Sequence, residues 1–252
     1  MRLSRYSGIV VLSAVMAGCQ TQPAATLDRY VSANATAPPQ EIRESAARGP
    51  IDAGLVLVHD RRGPDSSPAL SERGQTFLAD RVTQRVQGML PIRLVKTLAV
   101  GDTVDPATGV SAWTEQARAQ GLPYILLAIV SQAEREVPMR VPLLADPEQG
   151  GGRPLVPGFE MRTNALVELA LVDVGTGRLV TRGEGRAWNR LNRLYVPMQT
   201  NGYPVIHQSL RVAPIYPSEA DAKDVARSLA GDEAAEQAVV DARSRWSGPA
   251  LN

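Results

Sequence analysis

Two histidines, His59 and His207, and one cysteine, Cys19, are the whole supply of imidazole and thiol in 252 residues. A serine triad needs a histidine beside a serine nucleophile, and no GxSxG elbow is present. His59 stands next to Asp60, a pairing that could in principle poise a base. Zinc ordinarily takes three or four His, Cys or carboxylate ligands, so two distant histidines and a single cysteine argue against a metal site. Gly150-Gly151-Gly152-Arg153-Pro154 lacks the Lys-Ser/Thr of a phosphate loop and opens no helix. Glu134 and Glu136 are spaced for a solvated strand or loop, not for a shielded acid–base pair. These residues imply no catalytic set, no metal and no cofactor.

The chemistry that remains belongs to Cys19. Arg2 and Arg5 make a positive start, and Gly8 to Gly18 (GIVVLSAVMAG) is a short apolar run with small residues at its end. The run is too short to span a bilayer, which takes roughly 20 apolar residues, and it has the layout of a secretory signal over 1–18. An internal disulfide is excluded by the count of one cysteine. Met16-Ala17-Gly18-Cys19 resembles the lipobox of bacterial lipoproteins, with Met16 where Leu is commoner. That resemblance implies cleavage between Gly18 and Cys19, a diacylglyceryl thioether on Cys19 and an acylated (palmitate-type) new amine. Gln20 in place of Asp implies sorting to the outer membrane, with the protein on its periplasmic face. Two or more chains, at ~0.8 kcal/mol per buried methylene, hold a protein stably.

After such cleavage 25 basic face 26 acidic side chains, a balance that argues against nucleic acid as a partner. Two Phe, six Tyr and three Trp leave the core to Val, Leu, Ile and Ala. Residues 19–50 read as the lipidated Cys and a flexible tether, rich in Pro, Ala, Thr, Ser and Gln. A flexible chain of that length spreads over ~30 Å, and fully stretched it reaches ~100 Å. It either spaces the domain from the lipid or lets it reach across the periplasm.

Residues 51–252 are expected to form one periplasmic α+β domain: a mixed sheet of about five strands, helices packed on it and a C-terminal helix. Ala53–His59 (AGLVLVH) reads as a buried strand ending in a turn. Ser67-Pro68 offers an N-cap and first-turn proline, and Leu70, Phe77, Leu78, Val82, Val86, Met89 and Leu90 recur at helical spacing. Ile92–Val100 is a second strand, Ser111–Gln120 a helix stopped by Gly121, and Tyr124–Val130 a third strand. Asn164–Val174 and Arg178–Trp188 form a hairpin about Gly175-Thr176-Gly177. On the returning strand Arg178, Arg182, Glu184 and Arg186 share one face, expected to be wet. Ser218–Trp246 carries an apolar stripe on a final helix, which Gly231-Asp232 can divide in two. The stretch 132–163, with five prolines and three consecutive glycines, reads as a loop insert that cannot supply the 9–11-residue alternating strands of a barrel.

The order strand, helix, strand, helix, strand, hairpin, helix behind a lipid tether resembles three groups. They are the periplasmic domain of the curli-secretion lipoprotein, the lipoprotein activators of penicillin-binding proteins and the amino-terminal domain of the Tol–Pal translocation protein. The features that carry it are Ala53–His59, the long helix to Leu90 and Asp173-Val-Gly-Thr-Gly177, covering roughly 53–188 and the final helix. The resemblance implies a protein that binds, secretes or scaffolds and is not an enzyme.

One segment stands out as a contact surface. Residues 188–217 interleave Trp188, Tyr195, Tyr203 and Tyr216 with Arg190, Arg193 and Arg211, the side-chain types enriched in interface hot spots. Residues 151–217 hold eight arginines against four carboxylates, while 218–252 hold four basic against seven acidic side chains. The basic segment either docks an acidic partner or peptidoglycan, or pairs with the protein's own last helix. The expected partners are the membrane through the lipid, an envelope protein that the module assists or regulates, and copies of itself in a ring or secretion apparatus.

Overall fold

The structure is a computed structural model that describes residues 22–31, 38–63, 65–102, 106–142, 155–194, 203–207, 215–216 and 218–247. Cys19 and the signal over 1–18 lie outside these residues. The fold is α+β. Five long strands form a mixed sheet in the order β2-β1-β3-β4-β5: β1 (Ile51–Asp60), β2 (Ile92–Asp102), β3 (Tyr124–Pro142), β4 (Leu155–Asp173) and β5 (Leu179–Leu194). Two short strands, β6 (Tyr203–His207) and β7 (Ile215–Tyr216), continue it beyond β5. The helices are α1 (Gln40–Arg48), α2 (Glu72–Met89), α3 (Pro106–Ala119) and α4 (Glu219–Ser247).

The parallel half follows from β1 lying between its two successors. The crossover from β1 to β2 moves one way across the sheet, and that from β2 to β3 moves back. With right-handed crossovers the two linking helices must therefore lie on opposite faces. They do: Leu78, Val82 and Val86 of α2 pack with Leu55 and Leu57, while Trp113 and Ala117 of α3 pack with Val56 and Val58. Helix α2 starts later than Ser67-Pro68 foretold. Its cap is Ser71, whose Oγ accepts the Gly74 N–H at 3.1 Å, and the Ser67 amide instead donates to the Gln132 carbonyl at 2.9 Å.

The expected hairpin forms about Gly177, which has φ +67, with Asp173 Oδ1 accepting the Thr176 N–H at 2.7 Å. The expected loop insert is overturned. Residues 132–142 and 155–163 extend β3 and β4 in continuous antiparallel register, from Tyr124 opposite Asp173 to Pro142 opposite Leu155. Prolines are tolerated there because β1 ends opposite Ser131, so the outer side of β3 becomes a sheet edge where a missing N–H breaks no ladder. The stretch is a two-stranded arm, and only its tip, 143–154, lies outside the described residues.

Helix α4 does not break at Gly231-Asp232. Gly231 lets α2 come close, since a Cβ there would lie 3.1 Å from Leu78 Cδ2. Buried Asp232 takes Arg85 at 2.9 Å and Arg81 at 3.3 Å. The same helix closes β5. Gly183 and Gly185 present bare backbone to it, and a Cβ at Gly183 would come within 2.8 Å of Ala242 Cβ. Asp241 and Gln237 accept the Glu184 and Arg186 amides at 3.0 and 3.3 Å, satisfying a sheet edge that would otherwise be open. At the opposite edge β2 skips Val95 and Leu98 in its pairing with β1, two bulges on the outermost long strand.

Candidate functional site

The flexible tether expected over 19–50 is ordered in two described pieces. Helix α1 rests Ala46 and Ile42 against the α2 side of the sheet. The segment 22–31 crosses the other face as a strap. Leu27, Tyr30 and Val31 are buried there with Ile125, Leu127, Ala170 and Val172, and the Tyr30 ring lies over Trp113 at 6.4 Å between centroids. Burying these three side chains opposes the entropy that a chain of this composition would otherwise keep. The signal was present in Leu27-Asp28-Arg29-Tyr30-Val31, apolar at i, i+3 and i+4, and it forms one 3₁₀ turn at Leu27–Arg29.

Glu168 pins the strap. It stands on β4 among Leu166, Ala170 and Val172, only 4% exposed, and accepts the Thr26 amide at 2.7 Å and the Leu27 amide at 3.2 Å. Burial raises its carboxyl above the usual carboxylate value, opposed by these two amides, which favour the ionised form. Farther toward the chain start, Arg186 donates to the Gln22 side chain at 3.3 Å and to the Pro23 carbonyl at 3.1 Å. The strap thus runs from β5 to β1.

Where the strap passes the end of β1 and the middle of β3 it borders a cavity of about 330 Å³, lined by Thr26, Arg29, Asp60, Arg62, Ser131 and Gln132 among others. Asp60 is 4% exposed and its Oδ1 accepts the Arg62 amide at 3.1 Å. Burial first, and then the charge of Asp60, push the Tyr30 phenol up to about 12. His59 is buried too, but successive strand residues point to opposite faces, so it is directed away from Asp60. The two do not converge.

The surface expected over 188–216 is divided by the same alternation. Trp188 and Arg190 lie on the strap face of the sheet, and the Arg190 guanidinium sits 5.4 Å above the indole centroid. Arg193 lies on the opposite face, over the Phe159 ring at 5.8 Å and ion-paired with Glu219 of α4. Tyr195 and Arg211 lie outside the described residues. Tyr203 and Tyr216 face each other in register in β6–β7, with nothing described of their side chains. The Arg193–Glu219 pair matches the intramolecular account, yet other α4 charges go elsewhere: Asp232 to α2, Arg227 to Glu134 at 2.7 Å and Lys223 to Glu136. Glu134 and Glu136 are therefore ion-pair partners that fasten the arm to α4.

On the strap face of the arm the register brings three arginines into one row. Arg135 stands opposite Arg162, and Arg162 opposite Arg190, on three adjacent strands. Like charges directly opposed across strands repel. Glu160 relieves part of this, pairing with Arg162 and, at 3.5 Å, with Arg190. Arg162, Asn164, Trp188 and Arg190 line a shallow depression of about 260 Å³, and a neighbouring one joins Trp188 and Asn164 to Gln22 and Pro23 of the strap. Trp188 is 39% exposed. The row escaped sequence reading because its members are 27 residues or more from one strand to the next, linked only by strand register.

No family model matches the chain, and no curated protein matches it. Among solved structures, a PelC dodecamer from Paraburkholderia phytofirmans is 14% identical over 74% of this chain and 89% of that one, with a TM-score of 0.26. A neuraminyllactose-binding hemagglutinin homolog from Helicobacter pylori is 10% identical over 73% of this chain and 83% of that one, with a TM-score of 0.32. At scores this low the likeness says nothing of function.

Proposed function

We propose that the chain is a lipoprotein held at the periplasmic face of the outer membrane through acylated Cys19, and that it acts by contact, as an assembly factor or regulator of an envelope complex, not by turnover. The element order that resembles the curli-secretion and penicillin-binding-protein activator group belongs to the same reading. The observation that supports it most is the β3–β4 arm. It runs past the end of β1, and among the described residues no strand pairs with the outer side of β3 from Arg135 to Pro142. The outer edge of the arm, which Lys223 and Arg227 fasten, offers a partner's backbone its carbonyls and the amides of Glu136 and Arg140, while Pro138 and Pro142 bring no N–H to it.

The test is a photo-reactive residue placed at Arg140, exposed on the arm and on the face away from the strap, in living cells, with Val240, an exposed side chain of α4, as the control. A discrete cross-linked protein from Arg140 and none from Val240 is the expected result. Identical patterns at both positions would remove the arm as a contact. A product of twice the chain's own mass would favour the second reading, a subunit of an oligomeric ring, since the same edge is open to another copy.

A further inference from the structure

We propose that the strap face of the arm, with Trp188, Arg190, Arg162 and Arg135, lies against the anionic headgroup surface of the leaflet that holds the lipid on Cys19; this rests on the acylation proposed above. The strap sets the distance. Gln22 and Pro23 are held by Arg186, and Thr26 and Leu27 by Glu168, so the chain is fixed three residues after Cys19. Three residues span at most ~11 Å. The tether that could have carried the domain far from the bilayer is therefore packed on the protein, and the acyl chains must enter the leaflet beside Gln22. Gln22 shares its surface depression with Trp188 and Asn164.

The chemistry of that surface suits one occupant. Tryptophan is enriched where hydrocarbon meets water, because its ring is apolar and its N–H needs a polar partner. Arginine binds phosphate oxygens through two parallel N–H groups, and clusters of basic side chains favour anionic lipid. Here Arg162 and Arg190 share a single carboxylate, Glu160, and with Arg135 they repel one another across the strands until an outside anion meets them. The opposite face of the arm is not available, since α4 covers it with Ala222, Ala226, Lys223 and Arg227. The free edge of β3 stays open beside the bilayer for the protein partner.

The full lipidated protein, reconstituted in vesicles of phosphatidylethanolamine and phosphatidylglycerol whose acyl chains carry bromine near the headgroup, gives a direct readout. Trp113 and Trp246 are buried at 5% and 9% exposure, so bromine reaches Trp188. Bromine quenching of the wild type is expected, its loss in Trp188→Phe, and a several-fold reduction in Arg135→Glu, whose exposed side chain leaves the fold intact. Melting curves of both variants should match the wild type. Trp188 that stays open to aqueous acrylamide and dark to bromine, in protein whose mass shows acylated Cys19, overturns the docking and leaves the anchor standing; a protein surface would then be the occupant. A bare thiol at Cys19 in the native material overturns the anchor and the docking with it.

Discussion

Replacing Glu168 by alanine tests whether the strap is clamped or merely rests on the sheet. The carboxylate is the acceptor of two backbone amides, Thr26 at 2.7 Å and Leu27 at 3.2 Å, in a site almost closed to water. A buried donor left without an acceptor costs about 1–3 kcal/mol, so two cost about 2–6 kcal/mol if the strap stays in place. Removing a buried carboxylate returns part of this, because its desolvation disfavours the ionised form and raises its pKa. A net loss of about 1.5–2 kcal/mol is the expectation, which opens the strap roughly 10–30-fold more often. Hydrogen exchange of the peptide 22–31, read by mass spectrometry and corrected for intrinsic rates, should speed up by that factor while β1 and β3 stay protected. The acidity adds a sign. The folded pKa is raised, so the docked state binds more protons than the open one; its stability is full below the ordinary value near 4.5 and falls as pH rises through the raised one. Glu168→Gln should flatten this dependence. Unchanged exchange in Glu168→Ala, or protection in the wild type that grows with rising pH through that window, would refute the clamp.

Gly185→Ala should destabilise the whole domain by about 1–3 kcal/mol, since the added methyl meets the Ala234 carbonyl of α4, which cannot move without leaving β5; urea unfolding checks it, and a change under 0.5 kcal/mol speaks against the close contact. Tyr30 should titrate near pH 12 in an ultraviolet tyrosinate titration, and Tyr30→Phe should lose that last component; the Tyr30 contribution to strap stability is full below pH 10 and disappears as pH rises through 12.

The sheet was legible where a single period ruled a stretch of chain. The apolar runs at Ala53–His59 and Tyr124–Val130 and the Gly175-Thr176-Gly177 turn each fell inside the element that forms. The arm was hidden by Pro138, Pro142 and Pro157, which are strand breakers inside a sheet but harmless at an edge, and edge position is a property of topology. The strap was hidden by composition: Leu27, Tyr30 and Val31 are too few to mark an element, and their burial depends on a sheet face assembled from strands as distant in sequence as β3 and β4. The contact segment 188–216 was legible as residue types but not as a surface, because period-two alternation sends Trp188 and Arg193 to opposite sides. What joins Arg135, Arg162 and Arg190 is register across three strands, and register is fixed by the turns and bulges between them.

The two skipped residues of β2 matter most where molecules crowd. A straight outer strand offers an unbroken comb of amide groups on which a neighbour can zip up, and confinement to a plane multiplies such encounters. Val95 and Leu98 interrupt the comb twice within four residues. Copies crowded on a leaflet by the proposed anchor would therefore find no continuous seam along that flank, and the sheet would stay finite however densely the surface is populated.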